Sequence, residues 1–164
     1  MKQIGILSDT HGYLPPALKD FFANCDEIWH AGDWGTKALV EDLEKFKPLR
    51  AVYGNIDGTE IRQMVPETNY FEVEGLMVFM IHIGGYPDHY APNFKKWIGK
   101  QKIDVMVCGH SHILRVMKDV KNNWMHINPG ACGNHGFQKV NTAIRLKIHD
   151  KKMTDLEVWE QKRG

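Results

Sequence analysis

The chain has few cysteines, no long apolar run, no surplus of either charge and no glycine-rich phosphate loop, and each absence narrows its class. Its three cysteines, Cys25, Cys108 and Cys132, are odd in number and far apart, with no C-x-x-C pair. A disulfide framework and a structural zinc knuckle are therefore not expected, and a reducing, cytoplasmic compartment is. No stretch approaches the roughly 20 apolar residues that a membrane-spanning helix needs. The opening MKQIGILSD holds only a short apolar run before charge returns, so neither a leader nor a membrane partner is expected. Lysine and arginine total 21 against 20 aspartate and glutamate, a formal charge of +1 that supplies no global attraction for nucleic acid. What is present, 43% hydrophobic and 25% charged residues, is ordinary for a globular protein. One domain over residues 1–164 is expected, long enough to bury a proper core.

Apolar runs and turn residues alternate along the first half. Residues 3–8 form a nearly continuous apolar run, the mark of a strand buried on both faces, and 27–31 and 49–53 read as two more strands. Between them, Leu18, Phe21 and Phe22 mark one helical stripe after two prolines that a first turn tolerates. Leu39, Val40, Leu43 and Phe46 mark a second stripe, capped by Thr36 and stopped by Pro48. This β-α-β-α-β order implies a parallel sheet with right-handed crossovers. The second half turns to hairpins. Strands 70–73 and 76–81 flank Glu74-Gly75, and further hairpins are expected around Lys121-Asn122-Asn123 and Asp150-Lys151-Lys152. Phe94, Trp97 and Ile98 suggest one more helix, residues 105–108 another strand, and Ile144, Leu146 and Ile148 the alternation of a half-buried strand. Strands of both kinds, with helices for two outer faces, point to two packed sheets.

Five of these apolar runs end in the same chemistry. They lead into Ser8-Asp9-Thr10-His11-Gly12, His30-Ala31-Gly32-Asp33, Tyr53-Gly54-Asn55, His82, and Gly109-His110-Ser111-His112. Ligands of open α/β sheets collect beyond the carboxyl ends of strands, so five candidates point at one rim. If residues 110–112 are extended, His110 and His112 face the same side and converge. A lone aspartate at a strand end is usually a cap or turn residue, and a lone histidine is more often a satisfied core group. The joint occurrence defeats that reading. Two carboxylates, one carboxamide and four imidazoles exceed what one tetrahedral ion takes, and they suit two ions sharing a carboxylate.

DTH, GD, GN, an isolated histidine and GHSH, in that order, resemble the signature of the calcineurin-like metallophosphoesterases. The segment NPGA (128–131) and the short length are similar to the small prokaryotic phosphodiesterase branch of that family, the YfcE-like proteins. The resemblance implies an α/β fold, a four-layer αββα sandwich of two mixed β-sheets flanked by helices, with a dinuclear site between the loops. Carried over by motif, Asp9, His11 and His112 would hold one ion, Asn55, His82 and His110 the other, and Asp33 would bridge them. It further implies hydrolysis of a small phosphate ester, a phosphodiester first, by a hydroxide bridging the two divalent ions. Imidazole and oxygen donors admit Mn, Fe, Zn, Co or Ni, and the resemblance favours Mn²⁺.

Two positions depart from the family pattern. Ile56 stands where many relatives have a histidine that protonates the leaving group and the small branch commonly has cysteine. His82-Ile83-Gly84 stands where branch members often read HGH. His89 and His135, in polar or glycine-rich loops, are the candidates for the missing general acid. His30 is expected to brace the Asp33 loop, and Cys108 and Cys132 to be buried rather than nucleophilic. Two other functions compete. A nuclease would share the fold, but near-neutral charge and the lack of a DNA-binding appendage argue against nucleic acid. A metal-binding, non-catalytic scaffold, as in a retromer subunit of this fold with a degraded site, is kept open by Ile56, although all seven ligand positions are intact.

Overall fold

The computed structural model describes residues 1–163. In chain order its elements are β1 (Lys2–Leu7), α1 (Ala17–Phe21), β2 (Glu27–His30), α2 (Lys37–Phe46), β3 (Leu49–Ala51), α3 (Thr59–Met64), β4 (Thr68–Val73) and β5 (Leu76–Ile81). There follow β6 (Gly85–Tyr86), β7 (His89–Tyr90), α4 (Pro92–Lys95), β8 (Val105–Val107), β9 (Leu114–Asp119), β10 (Trp124–Pro129), β11 (Val140–His149) and β12 (Lys152–Lys162).

The first sheet runs β12-β11-β1-β2-β3. Its β1, β2 and β3 pair in parallel, with Gly5 beside Ile28 and Trp29 beside Arg50, as the alternating strand–helix order requires. On the other edge of β1 lies β11, antiparallel, with Ile4 beside Leu146. The second sheet runs β4-β5-β8-β10-β9, mixing a parallel pair (β5, β8) with antiparallel hairpins. Thr36 caps α2, its hydroxyl oxygen accepting from the Leu39 N–H at 3.3 Å.

Alternation along β1 and β2 sends side chains to both faces. Ile4, Ile6, Trp29, Ile144 and Leu146 pack against Val78, Met80, Val105, Val107 and Ile127 to form the core between the sheets. Leu7, Ile28 and Ala143 face outward, onto Leu18 and Phe22 of the α1 region, Val40 and Leu43 of α2, and Ile61 of α3. Phe79, Met106 and Trp124 carry the opposite outer face, covered by Tyr90, Phe94 and Ile103. Each fully buried Ile, Leu or Val contributes ~1.5–3 kcal/mol by leaving water, so the two sheets cannot slide past one another by a residue without forfeiting several such terms. That fixes the two rims relative to each other.

The helices differ from expectation in two respects. The fourth layer is thin, because the helix expected at Phe94, Trp97 and Ile98 is a single turn, Pro92–Lys95, continued only by turns. Conversely, α3 (Thr59–Met64) carries too few apolar residues for periodicity to reveal it, since Ile61 alone is fully buried.

Candidate metal centre

Residues that follow β1, β2, β3, β5 and β8 meet at one edge of the sandwich. Backbone bonds stitch their loops together: Asp9 N–H to Gly32 O at 2.9 Å, His11 N–H to Asp33 O at 3.1 Å, and Gly109 N–H to His82 O at 3.0 Å. Close approach fixes two glycines. A Cβ at Gly54 would strike the Asp33 carboxylate, and one at Gly109 would lie 2.7 Å from Asp9 Oδ2.

Each carboxylate has one oxygen tied down and one aimed inward. Asp9 Oδ2 accepts from Ser8 Oγ at 2.6 Å and from the His110 N–H at 3.1 Å. Its Oδ1 lies 3.2 Å from His112 Nε2 and 3.8 Å from both His11 Nε2 and His82 Nε2. Asp33 Oδ1 accepts from the Ile56 N–H at 3.1 Å, while Oδ2 stands 3.3 Å from His82 Nε2 and 3.6 Å from His11 Nε2. Two groups, Asp9–His11–His112 and Asp33–His82–His110, could each hold an ion, and Asp33 Oδ2 of the second comes within 3.6 Å of His11 Nε2 of the first. Asn55 joins the second group, its Oδ1 lying 3.1 Å from His110 Nδ1.

Three buried atoms, Asp9 Oδ1, His11 Nε2 and His82 Nε2, have no hydrogen-bond partner. Leaving such atoms unsatisfied costs about 1–3 kcal/mol each, a cost that a cation accepting their lone pairs would offset. Two donors ~2.1 Å from one ion are ~3.0–3.4 Å apart at cis-octahedral or tetrahedral angles. The shorter separations here match that spacing. The donor set fits divalent transition metals.

Outer partners orient the imidazoles. His82 Nδ1 donates to Ala31 O at 2.7 Å, and His112 Nδ1 donates to Gln138 Oε1 at 2.8 Å, leaving each Nε2 lone pair facing inward. Burial opposes ionisation of Asp9, yet His11, His112 and His82 outweigh it and hold the carboxyl well below the usual range. Asp33 is likewise lowered: burial raises it, and its contact with His82 more than compensates. His30 stays neutral, its pKa pushed down to about 3 by burial. It stacks on Trp34 with ring centroids 3.5 Å apart and bonds Gly32 N–H and Thr10 Oγ1, bracing the Asp33 loop as expected.

One expectation needs correcting. Residues 110–112 are not extended, so His110 and His112 do not converge by strand alternation. Both have left-handed backbones, φ 70° and 62°, and each turns to a different group. Asp9, His11 and Asp33 share that conformation at 55°, 46° and 60°. Non-glycine residues pay roughly 1–2 kcal/mol there, a strain that clusters at functional sites.

The two candidate acids separate. His135 stacks on the His11 ring at 4.5 Å, while His89 sits on the β6–β7 hairpin with its ring against Tyr86 at 4.9 Å. Cys108 and Cys132 are buried, and burial pushes the Cys108 thiol up to about 12. Sequence reasoning missed Gln138 and Asp57. The Asp57 carboxylate accepts from the N–H groups of Gly54, Trp34 and Gly35 at 2.8, 3.1 and 3.1 Å, which ties the Asn55 turn to the Asp33 loop. An aspartate two residues beyond GN was the available signal for Asp57; Gln138 left none.

Residues 1–151 match the family model of the calcineurin-like phosphoesterase superfamily domain. The chain belongs to this superfamily. It is 31% identical over 138 residues to a probable metallophosphoesterase of Methanothermobacter thermautotrophicus, covering 78% of this chain and 76% of that one. It is 29% identical over 146 residues to a phosphodiesterase of Methanocaldococcus jannaschii, covering 79% and 84%. Among solved structures, Vps29 of Entamoeba histolytica complexed with zinc shares the fold at TM-score 0.74 and 15% identity, covering 98% of each chain. A predicted phosphoesterase of Streptococcus pneumoniae does so at TM-score 0.65 and 19% identity, covering 98% and 89%. Membership brings phosphoesterase chemistry with divalent ions, and the two groups around Asp33 are where this superfamily member could hold them. No helix among the described residues is long and apolar enough to cross a membrane.

Proposed function

We propose that the protein is a phosphodiesterase acting on a small phosphate ester at a dinuclear centre. Asp9, His11 and His112 would hold one ion and Asn55, His82 and His110 the other, with Asp33 shared between them. The observation that carries this reading is the set of orphaned buried atoms, Asp9 Oδ1, His11 Nε2 and His82 Nε2, facing one another around Asp33.

Divalent ions held by these residues would supply Lewis acidity that lowers the pKa of a water toward neutral and positive charge for the phosphoryl oxygens. The protein does the rest. Asp9 and Asp33 remain ionised because the surrounding imidazoles outweigh the cost of their burial. Ala31 O and Gln138 Oε1 hold His82 and His112 in the tautomer that presents Nε2. Ile56, half exposed at the rim, has no proton to give. His135, stacked on His11, is the imidazole assigned to protonate the departing oxygen. Imidazoles mixed with carboxylate and carboxamide oxygens suit Mn²⁺, with Fe, Zn, Co or Ni as substitutes. Three free buried cysteines suit the cytoplasm.

The test is hydrolysis of bis-(p-nitrophenyl) phosphate before and after chelation. Activity should vanish on chelation and return best with Mn²⁺. Activity that survives exhaustive chelation rules the mechanism out. Two ions bound without turnover of any phosphate ester would put the non-catalytic scaffold in its place.

A further inference from the structure

Beside the second group, bordered by Asn55 and His82, lies a cleft of about 180 Å³. At roughly 30 Å³ per water-sized group its inner part takes about six such groups, the size of a three-carbon alcohol, and it opens to solvent beyond them. Arg62, Glu67 and Asn93 line the same space. Arg62 is held in place before any ligand arrives: its Nε–H donates to Asp57 O at 2.6 Å, and its guanidinium lies over the Tyr53 ring at 4.5 Å. Because Asp57 also accepts from the Gly54 N–H, the arginine is tied to the same turn that carries Asn55. The terminal nitrogens of Arg62 form no hydrogen bond with the described residues, which leaves a donor fork free.

A donor fork, a carboxylate and a carboxamide, in a lining that also holds Ile81 and Ile83, match a polyol, whose hydroxyls donate and accept at once and whose carbons are apolar. A second anionic group on the ligand would meet Glu67. A nucleobase would want an open aromatic face, and Arg62 covers that of Tyr53. We propose that this cleft is the alcohol subsite and that it selects phosphate esters of a glycerol-sized polyol over alkyl, aryl and nucleoside esters; this rests on the dinuclear reading above.

Calorimetric titration of the Mn²⁺-loaded protein with inorganic phosphate, ethyl phosphate, glycerol 3-phosphate and adenosine 5′-monophosphate tests it, alongside turnover of bis-(p-nitrophenyl) phosphate. Glycerol 3-phosphate should bind about ten-fold or more tighter than ethyl phosphate, since hydrogen bonds to charged partners are each worth about that factor. Arg62→Ala and Glu67→Gln should each bring the ratio toward one. Arg62→Lys, which keeps the charge and loses the fork, should do the same. Equal affinities in the wild type, a ratio unmoved by the substitutions, or tightest binding of the nucleotide each overturn the subsite. With turnover and phosphate binding intact, such a result sinks the subsite alone. Absence of both turnover and phosphate binding sinks the dinuclear reading and the subsite with it.

Discussion

Replacing Gln138 with leucine should weaken one ion of the pair and spare the other. Gln138 Oε1 lies 2.8 Å from His112 Nδ1, and its Nε2 donates to His135 O at 2.8 Å and to Gly133 O at 3.3 Å. Behind it, Arg163 pins the same loop through the carbonyls of Asn134, Gly136 and Gln138. The amide is therefore fixed, and its oxygen dictates which imidazole nitrogen carries the proton. Leucine has similar bulk but accepts nothing, so the His112 proton is free to move to Nε2, the atom that faces Asp9 at 3.2 Å. Losing such an outer partner typically costs 10–100-fold in metal affinity, or about 1.4–2.7 kcal/mol. The measurement is a Mn²⁺ titration of the chelated protein fitted to two sites, with elemental analysis after desalting. One site should weaken by that factor and the retained stoichiometry should fall from about two toward one. Gln138→Glu, which still accepts from Nδ1–H, should retain most of the affinity. Equal weakening of both sites, or of neither, would refute the reasoning.

Asp33→Asn should lower affinity for both ions together, because Oδ2 lies 3.6 Å from His11 Nε2 in one group and 3.3 Å from His82 Nε2 in the other; selective loss of one ion would leave it unshared. His135→Ala should steepen the fall of rate with leaving-group pKa across substituted phenyl esters, since a positioned acid is worth about 10²–10⁴-fold for poor leaving groups. Adding Ile56→His in that background should flatten the slope again; an unchanged slope in both would show that neither position delivers the proton. Acid should destabilise the chelated protein through His126, whose folded pKa burial lowers from 6.5 to about 4. Its unfolded form binds the proton more readily, so stability is complete above about pH 6.5 and is lost as pH falls toward 4, by on the order of 3 kcal/mol. Denaturant titrations at pH 7 and pH 4.5 in wild type and His126→Gln read this, and an equal loss in both proteins would exonerate His126.

Much of the architecture was legible because it rests on local signals. Parallel β1, β2 and β3 follow from apolar runs punctuated by amphipathic helices, and the β4–β5 hairpin from Glu74-Gly75. The insertion of β11 beside β1 was not legible, since the Ile4–Leu146 pairing joins residues far apart in sequence and nothing local encodes it. Neither was the thinness of the outer layer at α4, where three apolar residues satisfied a helical period that the chain abandons after one turn. The site divides along the same line. Residue types at strand ends announced Asp9, Asp33 and the histidines, but Gln138 belongs to the site only through the path that brings the 134–138 loop back over His112.

The left-handed backbones are the least legible feature and the most consequential. Of the seven candidate ligands, Asp9, His11, Asp33, His110 and His112 have positive φ, and only glycine adopts such angles without strain. The cross-loop bonds from Asp9, His11 and Gly109 hold the segments in that state, so the fold stores strain to aim the side chains. His110 tests this, because its φ is 70°, its side chain is exposed, and its removal leaves little packing to lose. His110→Gly relieves roughly 1–2 kcal/mol of left-handed strain, against about 0.5–1 kcal/mol of added unfolded-state entropy. His110→Ala deletes the same imidazole and keeps the strain. In the chelated protein the glycine variant should therefore be the more stable of the two by about 1 kcal/mol, or about 2–4 °C in melting temperature for a chain of this length. Both variants should lose the second ion equally. Coincident melting curves for glycine and alanine would mean that the backbone at His110 carries no strain, and that the imidazoles are aimed without cost.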